Sequence, residues 1–326
     1  MNFLYIILIC IISLQSSFAQ ILTKSSKKMF NYQKIETYKK VKIAIIDTGI
    51  DFNNKYLKNN ISTIIGKTSV NNFGVDFSRY NINKEIEITR TPNDTHGHGT
   101  HIAGIIKDIN PNIEIIALKY YNVNLTGIQA LNSSLKALKY AIDMNVDIIN
   151  YSGGGPSSSE EESKLIKEAE KKGILLISAA GNDGKNIDCD IELDNRYSRL
   201  NCGEYFPANY EYKNIISVGA LESRTSLNPS SNWGKESVDI VAPGYKIRST
   251  HLNGFEEMTG TSQATAFVTG VASIIKGLGV KDSQKIKKII LEQCDKEIFL
   301  KNKVKNGCVL NMENILKRRE ISSLIK

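Results

Sequence analysis

The chain has 326 residues, 41% of them hydrophobic and 23% charged, with a formal net charge of +8. That is long enough for one large α/β domain. The charge is local: Lys276 to Lys326 carries 13 Lys/Arg against 6 Asp/Glu, so the rest is near neutral. With no aromatic interleaving and no nucleic-acid motif, the basic end reads as solvated faces of terminal helices rather than a nucleic-acid surface.

Residues 1–19 contain no charged side chain and hold the apolar run Phe3 to Leu14, followed by Gln15-Ser16-Ser17-Phe18-Ala19. The run is short of the ~20 residues that a membrane span needs. Small residues three and one before a cut after Ala19 complete the pattern of a signal peptide. The expectation is an exported protein, extracellular or periplasmic, with no stable membrane span once the signal is removed. Residues 20–40 form a short extension, 41–316 the main domain and 317–326 a basic tail.

From Val41 onward, short Ile/Val-rich runs alternate with longer helical patterns. Strands are expected at Val41–Ile46, Ile113–Leu118, Val146–Tyr151, Ile174–Ala179, Ile215–Gly219 and Val238–Ala242. Helices are expected at Gly99–Lys107, Ile128–Met144, Ser159–Lys172, Ser262–Lys276 and Ser283–Gln293. Nearly continuous apolar strands separated by helices imply a mostly parallel sheet covered on both faces, a three-layer α/β fold. Ligands in such sheets gather beyond the carboxyl ends of the strands.

The motifs fall at those ends. Asp47-Thr48-Gly49 closes the first strand, His98-Gly99-Thr100-His101 opens a helix, and Gly260-Thr261-Ser262-Gln263-Ala264 opens another. A serine hydroxyl is a poor nucleophile at neutral pH and needs a base to take its proton. His98 is that base, and Asp47 is the acid that holds its tautomer. Only a fold can unite Asp47, His98 and Ser262, because 51 and 164 residues separate them. A metal reading of His96, His98 and His101 lacks a His-Glu-x-x-His pattern and leaves Asn182 and Gly260–Ala264 without a role. No metal ligands are assigned.

Four ordered motifs, these three and Ala179-Ala180-Gly181-Asn182, make the chain resemble the subtilisin-like serine proteases, the subtilases, from about Val41 to about Leu316. The resemblance implies the three-layer subtilisin-like fold, endopeptidase activity on polypeptides and an acyl-enzyme intermediate. It assigns the oxyanion hole to Asn182, assisted by the backbone N–H of Ser262. The substrate groove falls to Ser152, Gly153, Gly154 and Gly155 on one edge, Gly127 on the other, and Ala180 and Gly181. Chemistry of this kind requires no cofactor.

Several features depart from the family pattern. Gly153 replaces a usual leucine, which predicts a more open pocket wall. Gln263 replaces an oxidisable methionine, which predicts tolerance of peroxide. Ala266 stands where a proline is usual and favours a regular helix. Only Ile105–Asn112 separates the Ala103-Gly104 motif from the next strand, so the loop that holds a strong structural calcium in relatives is missing. Weaker calcium sites leave no spacing signature. Residues 20–40 are too few for a folding prodomain, so the expectation is a chain that folds unaided or with a separate chaperone or inhibitor. Cys189, Cys202, Cys294 and Cys308 suggest two disulfides, with local pairing Cys189–Cys202 and Cys294–Cys308 favoured among three connectivities.

Overall fold

The computed structural model describes residues 22–61, 74–81, 83, 85–89, 91–188, 202–252 and 254–323. Its centre is a mostly parallel sheet whose principal strands are β1 (Val41–Asp47), β2 (Gly74–Asp76), β3 (Ile113–Lys119), β4 (Ile148–Tyr151), β5 (Leu175–Ala179) and β6 (Ile215–Ser223). The short β7 (Ser226–Leu227) pairs antiparallel with β6, and β8 (Ile240–Pro243) pairs parallel with it. Beyond a separate hairpin, β9 (Ile247–His251) and β10 (Gly254–Met258), lie the edge strands β11 (Asp295–Lys296) and β12 (Cys308–Val309). The spatial order is β11-β12-β8-β6-β5-β4-β1-β3-β2. All six strands expected from the sequence are present. The short edge strands and the hairpin carry too few apolar residues to have been legible.

Alternation along the central strands sends side chains into two cores. Val41, Ile43 and Ile45 of β1 face one cluster; Ala44 and Ile46 face the other. The first cluster is covered by α2 (His98–Ile109), α5 (Thr261–Gly277) and α6 (Ser283–Glu292); the second by α3 (Gly127–Asp143) and α4 (Glu160–Lys171). The fold is therefore the three-layer arrangement expected. The helix α5 runs unbroken through Ala266, as the missing proline implies.

Residues before β1 are joined to this core. The first helix, α1 (Lys24–Met29), is capped by Thr23, and Leu22 and Phe30 are buried. Phe30 packs edge-on to Phe267 of α5 at 5.0 Å. Lys27 pairs with Asp108 of α2 at 3.0 Å. At the other end, α7 (Met312–Lys317) and α8 (Arg319–Ser322) bury Ile315 and Ile321. A disulfide joins Cys294 to Cys308, as expected. Cys202 is also disulfide-bonded, and its expected partner Cys189 lies outside the described residues, as does the segment 1–19. No helix among the described residues is long and apolar enough to cross a membrane.

Register decides where the chemistry sits. The β1 strand is paired so that Asp47 lies beside Lys119 and Ile46 beside Tyr151, while Tyr151 lies beside Ser178 of β5. The carboxyl ends of four strands are thus level. The segments that follow them, Thr48-Gly49, Tyr120-Tyr121, Ser152–Gly155 and Ala180–Asn182, emerge along one rim.

Candidate active site

A cleft of about 200 Å³ on that rim is lined by Asp47, Thr48, His96, His98, Tyr120, Tyr121, Ser152 and Ser262. Asp47 is buried, and its Oδ1 accepts from the backbone N–H of Thr48 and from His98 Nδ1, both at 2.7 Å. That contact leaves Nε2 of His98 as the free ring nitrogen. Burial favours a neutral imidazole, but the charge and hydrogen bond of Asp47, with a smaller contribution from Asp94, outweigh it and raise the pKa of His98.

His98 is held from below by Asp94, which the sequence reading passed over. Asp94 Oδ1 accepts from the Thr48 hydroxyl and from the backbone N–H of His96 and Gly97; its Oδ2 accepts from the N–H and hydroxyl of Thr100. One buried carboxylate thus ties the Asp47 turn to the first turn of α2. Gly97 has φ +97°, and a Cβ there would lie 1.9 Å from His251 Nε2, so only glycine admits this entry to the helix. Asp94 makes no motif with neighbours of its own kind, which is why only the fold reveals its role.

Ser262 lies in the first turn of α5, whose leading N–H groups have no partner within the helix. Its hydroxyl donates to the carbonyl of Ser152 at 3.0 Å, and the described structure contains no Ser262–His98 hydrogen bond. Such contacts commonly tighten only when substrate arrives. Asn150 positions the pair: its Nδ2 donates to Ser152 Oγ, and its Oδ1 accepts from Thr269 of α5. Asn182 Oδ1 accepts from the N–H and hydroxyl of Thr261. A backbone N–H can only donate, so the orientation of the amide is fixed and its Nδ2 amino group is the one left over. Asn232, like Asp94 and Asn150, is a support that the sequence does not mark. Its Nδ2 donates to the Ala180 carbonyl, and its Oδ1 accepts from the N–H groups of Asp183 and Lys185. Ala180 is fully buried, with its N–H on Val218, so it supports the Asn182 loop from beneath. Gly181, at φ +98°, leaves room for the Asn232 amide.

Two of the three histidines of the His96–His101 stretch are engaged apart from one another. His101 is buried, with Nε2 at 2.9 Å from the Ile247 carbonyl and 3.1 Å from that of Glu256. Burial pulls its pKa down to about 4, so it is a neutral packing residue. His98 is committed to Asp47.

The expectation of an open wall at Gly153 is corrected. A Cβ on Gly153 would lie 1.9 Å from the Tyr120 hydroxyl, so the tyrosine ring fills the space that a leucine would take. Gly155 also differs from a free groove edge: its N–H and carbonyl are both bonded to Phe206, at 2.9 and 2.8 Å. It still lines, with Gly154 and Gly127, a larger neighbouring cavity.

These loops, strands and helices follow a known pattern. The subtilase family (Peptidase_S8) matches residues 38–305. The chain belongs to that family. It is 34% identical over 247 residues to the major intracellular serine protease of Bacillus subtilis (strain 168), covering 73% of this chain and 69% of the relative. Subtilisin DY of Bacillus licheniformis is 31% identical over 244 residues, 72% of this chain and 76% of its own. Among solved structures, the epidermin leader peptide processing serine protease from Staphylococcus aureus aligns with a TM-score of 0.74 at 23% identity, covering 90% of this chain and 80% of that one. A cold adapted subtilisin-like serine proteinase aligns with a TM-score of 0.68 at 22% identity, covering 86% and 92%. At such identities the structural likeness speaks for the fold. The sequence relatives make this subtilase a subtilisin-like serine endopeptidase.

Proposed function

We propose that this subtilase is an exported endopeptidase that cleaves polypeptides with Ser262 as nucleophile, His98 as general base and acid, and Asp47 as the group that orients His98 and stabilises its charged form. The observation that carries the reading is the 2.7 Å contact of Asp47 with His98 Nδ1, in a cleft that also holds Ser262. As substrate enters, the Ser262 hydroxyl turns from the Ser152 carbonyl to His98 Nε2 and gives up its proton in attacking the scissile carbonyl. The oxygen of the tetrahedral intermediate is received by the Asn182 Nδ2 amino group and the Ser262 N–H. His98 then protonates the departing amine, leaving an acyl-enzyme that water resolves by the reverse sequence. Export is supported by the pattern of residues 1–19 and by the Cys294–Cys308 disulfide, which suits an oxidising compartment.

The test uses mature protein, wild type and Ser262→Ala, with unfolded casein and a serine-reactive phosphonate probe. Cleavage and labelling in the wild type, and neither in the variant, is the expected result. Folded wild-type protein that takes up no probe would overturn the assignment.

A further inference from the structure

Beside the catalytic cleft, and sharing Tyr120 and Tyr121 with it, lies a cavity of about 490 Å³. Its walls are mostly apolar and aromatic, among them Tyr120, Ile128, Leu131, Tyr151 and Phe206. Glycines 154 and 155 on one side and Gly127 on the other open it to the rim. A Cβ at Gly127 or Gly155 would meet nothing within 4 Å, so the mouth of the cavity is open at both edges, although the Gly155 backbone is already bonded to Phe206.

One wall residue does not belong in such a setting. Glu162, in the first turn of α4, lines the cavity at only 3% exposure. It makes no salt bridge among the described residues; its carboxyl has a hydrogen bond with the Tyr210 hydroxyl, and the groups facing it are tyrosines 120, 151 and 210. Burial pushes its carboxyl up to about 7, the Tyr210 hydrogen bond pulling weakly the other way. An unpaired buried acid is costly to keep unless a partner completes it. Among the described residues the chain supplies no cation here. A substrate can.

Resting on the endopeptidase reading above, we propose that this cavity is a subsite for a lysine or arginine side chain of the bound polypeptide. The Glu162 carboxylate pairs with the cationic head, while Ile128, Leu131 and the aromatic walls cover the aliphatic stem. An extended substrate alternates its side chains between faces and rises about 3.3 Å per residue, so the preference belongs to one position, displaced from the scissile bond. Tyr120, which fills the space above Gly153, forms the partition between this subsite and the cleft.

The experiment is a set of internally quenched peptides in which lysine, arginine or the uncharged isostere norleucine is moved through each position flanking one cleavable bond. The readout is the ratio of kcat/KM for the basic over the norleucine peptide at each position. Wild type is expected to favour the basic residue by about tenfold or more at a single position, the scale of a charge-assisted hydrogen bond. Glu162→Gln and Glu162→Leu are expected to bring that ratio to one or below. Each variant is titrated with the phosphonate probe, so only folded, labelling-competent enzyme is counted. The wild-type ratios need no variant: labelling and cleavage without a positional preference for base would overturn the subsite and leave the catalytic reading intact. A preference that survives in both variants would also overturn it. Wild-type protein that neither labels nor cleaves would remove the catalytic assignment and the subsite together.

Discussion

The catalytic cleft and the cavity beside it share two tyrosines but are built on opposite principles. In the cleft, polar groups are locked by one another: Asp47 by Thr48 and His98, Asp94 by five donors, Asn182 by Thr261. On the proposed mechanism, such a network holds the donors near where charge would develop. In the cavity, a single acid sits among aromatic and aliphatic walls with no cationic partner among the described residues. The polar frame of the cleft is in place without substrate, and only the Ser262 hydroxyl, resting on the Ser152 carbonyl, has still to turn. The cavity is incomplete. Within one rim, the chain keeps its chemistry rigid and leaves its selectivity to be completed by what binds.

The sharpest way to break this comparison is at the cleft. Asp47→Asn should lower kcat by about 10⁴-fold, the scale of losing the correct imidazole tautomer in triads of this type. It should also move the acidic limb of the pH profile. His98 must be neutral to act as a base, and Asp47 raises its pKa, so the wild-type limb lies above the ordinary histidine value and the variant limb falls to lower pH. A limb that does not move would mean that Asp47 does not control His98. Asn182→Ala should cost about 10²–10³-fold in kcat with little change in KM, because its amide is called on only as the oxyanion forms. Equal losses in binding would instead mark Asn182 as a groove residue.

The partition is tested next. Gly153→Ala should destabilise by about 1–3 kcal/mol, the usual range for overpacking, because its Cβ would overlap the Tyr120 hydroxyl. Thermal unfolding measures it, and in a Tyr120→Phe background, which lacks the overlapping hydroxyl, the same substitution should cost less. The acid of the cavity contributes through pH. Its folded-state pKa of about 7 exceeds the unfolded value, so the folded protein holds the proton more tightly and stability falls as pH rises from about 4.5 to about 7. Glu162→Gln removes that fall; relative to wild type it should gain on the order of 2–3 kcal/mol between pH 4 and pH 8. A constant difference between the two proteins across that range would contradict it. The smallest effect expected is none at all. With Gln263 beside Ser262, dilute peroxide should leave activity unchanged, while Gln263→Met should make it sensitive.

Much of the cleft was legible because its aspartate, histidine, asparagine and serine sit in short motifs whose order along the chain resembles that of the subtilases. The supports were not. Asp94, Asn150 and Asn232 are single polar residues far in sequence from what they hold, with no periodicity or neighbour to mark them. Glu162 was hidden more thoroughly, since Glu160-Glu161-Glu162 reads as a solvated first turn and only packing shows which of the three is buried. Gly153 misled for the same reason: a missing side chain suggests space until a residue 33 positions earlier is found to fill it.

The sequence by itself determined the parallel sheet, the helices on both faces and the membership of Asp47, His98, Ser262 and Asn182 in one site. The sheet and helices follow from apolar periodicity, which acts between near neighbours, whereas the grouping of the four site residues followed from the order of their motifs and the resemblance to the subtilases. Tertiary structure alone decided which acid is buried, which tyrosine closes the wall and which asparagines fix the loops. Those outcomes depend on strand register and on side chains meeting across the sheet rim, where contact is set by packing in three dimensions and leaves no period along the chain.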